Sequence, residues 1–123
     1  MKLNLKYTAT KVDEIEKARG TAIDHCIEDI RIDNICLLVQ KGLVDDNGVH
    51  GVSRNVALSK IDEYLQEYDK EELVLDIMEA LVAGGFLPRS VDMEAMRKKL
   101  GKRMKKINKD IDNLIASETN GEL

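Results

Sequence analysis

At 123 residues with 3% aromatic side chains, no Trp and one Phe, the chain suits one domain around a single aliphatic core of Leu, Ile, Val, Met and Ala. Charged residues of both signs make up 34% and there is one Pro, which argues against a turn-rich β-sandwich or barrel and for a mainly α fold. No run approaches the ~18 apolar residues of a membrane span, and Met1-Lys2-Leu3-Asn4 leads into no signal-peptide core, so a soluble, cytoplasmic protein is expected.

In chain order, Lys2-Leu3-Asn4-Leu5-Lys6-Tyr7 alternates polar and apolar, the period of a short half-buried β-strand. A lone strand needs a partner edge, which another copy or another protein would supply. Thr10 is the expected N-cap of a short helix with Val12, Ile15 and Ala18 inward and Gly20 at its end. Thr21 would cap a second, with Ile23, Cys26, Ile27 and Ile30 inward.

Asp33 to Leu43 is almost wholly apolar and reads as a core helix with Asp33 as N-cap and Gly42 as terminator. Asp45 to Gly51 is turn-rich. Ser53 restarts a helix with Val56, Ile61, Leu65, Tyr64 and Tyr68 inward. That helix is expected to pack antiparallel on the next across a very short turn.

The central element is predicted over Asp69 to Pro88. Leu73, Ile77 and Leu81 fall at helical spacing, flanked by Val74, Met78 and Val82, and Asp69 with Glu72 has the spacing of a capping box. Gly85 can turn left-handed and fold Phe86 back towards Leu81 before Pro88 forbids further helix. Leu37, Leu38, Ile77, Leu81 and Phe86 should therefore meet in one core.

After Pro88, Ser90 caps a long final helix whose seam of Met93, Met96, Leu100, Met104, Ile107, Ile111 and Leu114 has a mean spacing of ~3.5, as in a coiled coil. The expected organisation is a helical core domain over 1–88, a basic amphipathic helix of the same domain over 89–117, and a disordered tail over 118–123. The net charge of −4 conceals an asymmetry: residues 1–96 carry 11 basic and 19 acidic side chains, residues 97–123 carry 8 and 4.

Sites of chemistry are scarce. Cys26 and Cys36 read as free buried thiols, and His25 beside Cys26 cannot readily share a proton with it on a helix. No catalytic residue, cofactor or metal is expected. Asp45-Asp46-Asn47-Gly48 lacks the alternate oxygens and closing Glu of a calcium loop, and Gly84-Gly85 stands where a helix ends rather than begins. The cluster Arg97, Lys98, Lys99, Lys102, Arg103, Lys105, Lys106 and Lys109 could meet a polyanion, but it is scattered around the helix without aromatic residues, which favours a solvated or protein-docking face over nucleic acid.

The order of elements carries a resemblance. A Met1-Lys2-Leu3 strand, small helices, an apolar Asp33-to-Leu43 helix ending Lys41-Gly42-Leu43, a charged connector, and a helix closing Glu79-Ala80-Leu81-Val82-Ala83-Gly84-Gly85-Phe86 together resemble the tail assembly chaperones of long, non-contractile-tailed phages, over roughly residues 1–87. The resemblance implies a non-enzymatic protein that binds and shields the tape measure protein during assembly. It also implies a family often made in two lengths by ribosomal frameshifting. The basic helix after Pro88 departs from the family pattern. Alternatives from other classes are a small helical regulator binding nucleic acid through that helix, and a helical virion connector or adaptor. On the chaperone reading the partner-binding residues are Leu3, Leu5 and Tyr7 of the strand with Met93, Met96, Leu100, Met104, Ile107, Ile111 and Leu114 of the seam, and the protein self-associates.

Overall fold

The structure, a computed structural model, describes residues 2–45, 48, 51–90 and 93–98. The chain divides into two compact units, Met1–Val91 and Asp92–Leu123. Among the described residues the first contains five helices: α1 (Ala9–Arg19), α2 (Ile23–Cys26), α3 (Ile32–Gly42), α4 (Arg54–Leu65) and α5 (Lys70–Ala83). In the second, residues 93–98 are helical, with a Lys98–Glu94 ion pair one turn apart. The mainly α character is as predicted. The rest of the predicted 89–117 helix and the 118–123 tail lie outside the described residues.

The hub is α3 rather than the predicted α5, because α1, α4 and α5 all pack on it. Its apolar sequence explains this: Ile35, Cys36, Leu38 and Val39 are all buried, so the helix can be covered on several sides. The expected antiparallel α4–α5 pair is accordingly not a principal contact: α4 packs mainly on α3, with Tyr64 reaching Asp76 of α5.

The predicted boundaries of α5 hold in detail. Asp69 is extended and its Oδ1 accepts from the Glu72 N–H at 2.8 Å. At the far end Gly85 takes φ +84°, its N–H donates to Val82, and the Phe86 N–H reaches back to Leu81 at 2.9 Å. These are the paired bonds of a Schellman motif, and they satisfy carbonyls that the end of a helix would otherwise leave open. Leu73, Ile77 and Leu81 are fully buried, each contributing about 1.5–3 kcal/mol. Asp69→Ala should cost about 1 kcal/mol by orphaning the Glu72 N–H; the check is denaturant unfolding, where an unchanged midpoint would refute the cap.

Other expectations shift. The N-cap of α1 is Thr8, not Thr10: its Oγ1 accepts from Lys11 N, so the helix begins a residue before Thr10. Thr21 does not cap α2; the Glu16 carboxylate reaches over from α1 and accepts from Ile23 N at 2.8 Å. The helix α3 starts after Arg31, leaving Asp33 inside the first turn. Ala18 and Ile30 face solvent, and in α4 the inward stripe is Ala57, Ile61 and Tyr64 while Val56 and Leu65 are exposed.

The core is one cluster that includes Leu38, Ile77 and Leu81, as predicted, with Leu37 and Phe86 only half-buried against it and Leu87 taking the inner place beside Phe86. Gly42 has a negative φ, so a left-handed turn is not why it is there. Its Cβ position is occupied by the Tyr7 ring: an added carbon would lie 2.7 Å from both Cε1 and the phenol oxygen.

Candidate functional site

The N-terminal segment keeps the alternation read from the sequence. Lys2, Asn4 and Lys6 are exposed, Leu3 and Leu5 half-buried, and Tyr7 buried. It is an extended arm rather than a strand: Leu5 and Leu43 form an isolated antiparallel bridge, with Lys6 N donating to Gly42 O and Val44 N to Asn4 O at 2.8 and 2.9 Å. The pairing edge thus comes from the same chain, correcting the expectation that another copy or protein supplies it.

Tyr7 anchors the arm. Its hydroxyl donates to the Leu38 carbonyl at 2.8 Å across the gap left by Gly42, and burial pushes its phenol well above the usual range. A phenol that stays protonated keeps that donor.

At the other end Lys2 crosses to α5 and to Tyr68 in the α4–α5 connection. Its Nζ lies 3.3 Å from Asp76 Oδ2 and 4.7 Å from the centroid of the Tyr68 ring. The Tyr64 hydroxyl donates to the same Asp76 oxygen at 2.6 Å, and the Tyr64 and Tyr68 rings are tilted 36° with centroids 4.7 Å apart. One carboxylate thereby ties the arm, α4 and α5 together, its side chain only 14% exposed against 49% for Lys2.

Between arm and helix runs an open groove of about 290 Å³. One wall is Lys2, Leu3 and Leu5; the other is Asp76, Glu79, Ala80 and Ala83. The helical wall follows from spacing: these four residues recur at helical intervals on the face of α5 away from Leu73, Ile77 and Leu81. Two alanines let a polypeptide come close, two leucines offer apolar contact, and Lys2, Asp76 and Glu79 give a polar rim.

The remaining candidate chemistry disperses. His25 is exposed beside Glu28, while Cys26 is buried and its Sγ turns to the Thr21 carbonyl, so the two point apart. Cys26 and Cys36 are free, and burial pushes both thiols up, which makes them poor nucleophiles. Among the described residues no group of three His, Cys, Asp or Glu could hold a metal, and no helix is long and apolar enough to cross a membrane.

Glu14 is paired with Lys41 at 3.0 Å and Lys11 at 3.6 Å, and the hydrogen bond from Lys41 holds its carboxyl below the usual range. Asp29 is gripped by the Arg31 guanidinium at 2.7 Å, which holds its pKa at about 2. On either side of Arg31 two apolar side chains, Ile30 and Ile32, are 47% and 42% exposed.

Of the partner-binding residues expected from sequence, Leu3 and Leu5 lie on the groove, whereas Tyr7 faces the core. Met93 and Met96 are half-buried in the helical stretch 93–98. Leu100, Met104, Ile107, Ile111 and Leu114 lie outside the described residues. Sequence reasoning missed the α5 wall, although Ala80 and Ala83 at i, i+3 were visible within the predicted helix. Compared with protein families, curated proteins and solved structures, the chain matches none.

Proposed function

We propose that the chain is a non-enzymatic tail assembly chaperone of a long, non-contractile-tailed phage, which binds and shields the tape measure protein in the host cytoplasm. The observation that carries this is the groove: Leu3 and Leu5 face Ala80 and Ala83 across an open channel, on a mainly helical body. A tape measure protein is a long helix with apolar stripes that would self-associate before the tail tube covers it. A helix laid along small residues with a leucine flank buries such a stripe without demanding one sequence.

The methionine-bearing seam supplies a second, adaptable contact. Met93 and Met96 begin it, and Leu100, Met104, Ile107, Ile111 and Leu114 continue the spacing in sequence. The same seam is the proposed route to homo-oligomers. The basic side chains beside it serve protein contacts rather than nucleic acid.

The test is co-expression with the tape measure protein. The wild type should keep it soluble and co-purify with it, whereas Ala80→Arg with Ala83→Arg should lose the complex by filling the groove. Leu100→Asp with Ile107→Asp should weaken it through the seam. If the wild type neither solubilises nor retains the partner, the chaperone reading is wrong. Tight, steeply salt-dependent binding to duplex or single-stranded nucleic acid in a mobility-shift assay would install the regulator reading instead.

A further inference from the structure

We propose that Lys2–Lys6 is a strap that opens about Tyr7 while the helical body remains folded. The two ends of the arm are held very differently. Tyr7 is buried, seated in the gap above Gly42 and bonded to Leu38 O, so it is fixed to the core. None of residues 2–6 is fully buried, although Leu3 and Leu5 pack against the core from its edge. Lys2, Asn4 and Lys6 are exposed, and Leu3 and Leu5 are half-buried.

What retains the strap is a set of weak contacts. Lys2, itself about half exposed, pairs with the more enclosed Asp76 at 3.3 Å and lies over the Tyr68 ring at 4.7 Å. Interactions of both kinds are individually small and partly screened by salt. Two backbone hydrogen bonds, Lys6 N to Gly42 O and Val44 N to Asn4 O, add to the attachment. Leu3 and Leu5 pack on the core only as half-buried side chains, and on the α5 side they border the open groove opposite Ala80 and Ala83, so less dispersion energy resists separation than at the fully enclosed Tyr7.

Segments with few buried apolar contacts and exposed backbone hydrogen bonds open locally at free energies far below that of global unfolding. Opening here removes one wall of the groove and frees the edge at Leu43 and Val44, with Leu73, Ile77 and Leu81 undisturbed. The inference stands on these contacts alone and does not depend on the identity of any partner.

Native-state hydrogen exchange on the full chain tests it, with two amides as reporters: Val44, which bonds to Asn4, and Lys6, which bonds to Gly42. Both should exchange orders of magnitude faster than the Ile77 amide in the middle of α5. Lys2→Ala should speed Val44 and Lys6 by a further factor of roughly two to ten and leave Ile77 and the melting temperature nearly unchanged. Raising salt to about 0.5 M should speed exchange in the wild type but not in Lys2→Ala, because the pair being screened is gone. Exchange of Val44 and Lys6 at the same rate as Ile77 would overturn the proposal, as would a Lys2→Ala variant with wild-type exchange at both reporters.

Discussion

Gly42→Ala should destabilise the wild-type protein by about 3 kcal/mol or more, yet stabilise a protein that already carries Tyr7→Ala. The added methyl in the wild type would fall 2.7 Å from Tyr7 Cε1 and from its hydroxyl oxygen, well inside contact distance. Either the ring or the end of α3 must move. Overpacking of this kind costs about 1–3 kcal/mol, and displacing the ring also endangers the buried bond to Leu38 O, worth a further ~1–3 kcal/mol if an acceptor is left unpaired.

Once Tyr7 is truncated, the clash vanishes and only helix propensity remains. Gly42 is a helical residue with negative φ, where Ala is favoured over Gly by about 1 kcal/mol. Tyr7→Ala alone should cost about 3–5 kcal/mol, in line with other large aromatic truncations, so the double variant should be more stable than that single one. Denaturant unfolding of the four proteins decides it. An equal cost for Gly42→Ala in both backgrounds would mean that the close approach is not why glycine stands there.

This pair also marks the boundary of what the sequence discloses. Gly42 was legible as a helix terminator, because glycine after an apolar run ends helices. The actual reason is a ring carried by the N-terminal arm, far back along the chain, which no local pattern contains. The helix α5 was legible almost completely because its signals are local: a cap at Asp69, a stripe at Leu73, Ile77 and Leu81, and the Gly85 turn. In α4 the local signal was right for Ile61 and Tyr64, which are buried, and misled elsewhere: Val56 and Leu65 are exposed, and the smaller Ala57 faces inward in their place.

The candidate site was half legible for the same reason. Alternation from Lys2 to Tyr7 exposed the arm as a half-buried extended segment, and it named Leu3 and Leu5. The other wall needed knowledge that Lys2 pairs with a residue 74 positions away. The arm's own pairing edge, Leu43 and Val44, was equally remote and sits at the end of a helix, where no strand pattern advertises it.

Asn34→Asp should be among the most destabilising single changes in the helical body at neutral pH, by about 3 kcal/mol or more, and the loss should shrink as pH is lowered. Asn34 is a fully buried polar residue in the first turn of α3. Its Nδ2 donates at 2.7 Å to both the Cys26 and Asp29 carbonyls, closing the α2–α3 connection from inside. A carboxylate has no hydrogen to give. It would orphan two carbonyls at about 1–3 kcal/mol each and set its charge against their negative ends in a site closed to water.

The sign of the pH dependence follows from which form the fold tolerates. Once protonated, the introduced carboxyl can restore one of the two donations, so folding favours the protonated form and raises the pKa above its unfolded value of about 3.9. The folded state then binds more protons than the unfolded one, and stability falls as pH rises through the interval between the two pKa values. The variant should therefore recover stability relative to wild type as pH is lowered from about 7 to about 4, the reverse of an Asp whose salt bridge lowers its pKa. Unfolding midpoints for both proteins across that range supply the measurement, with Asn34→Ala as control: it loses the same two donations but titrates nothing, so its deficit should be independent of pH. A constant deficit for Asn34→Asp as well would show that the site admits water, and that the two 2.7 Å bonds do not seal the turn.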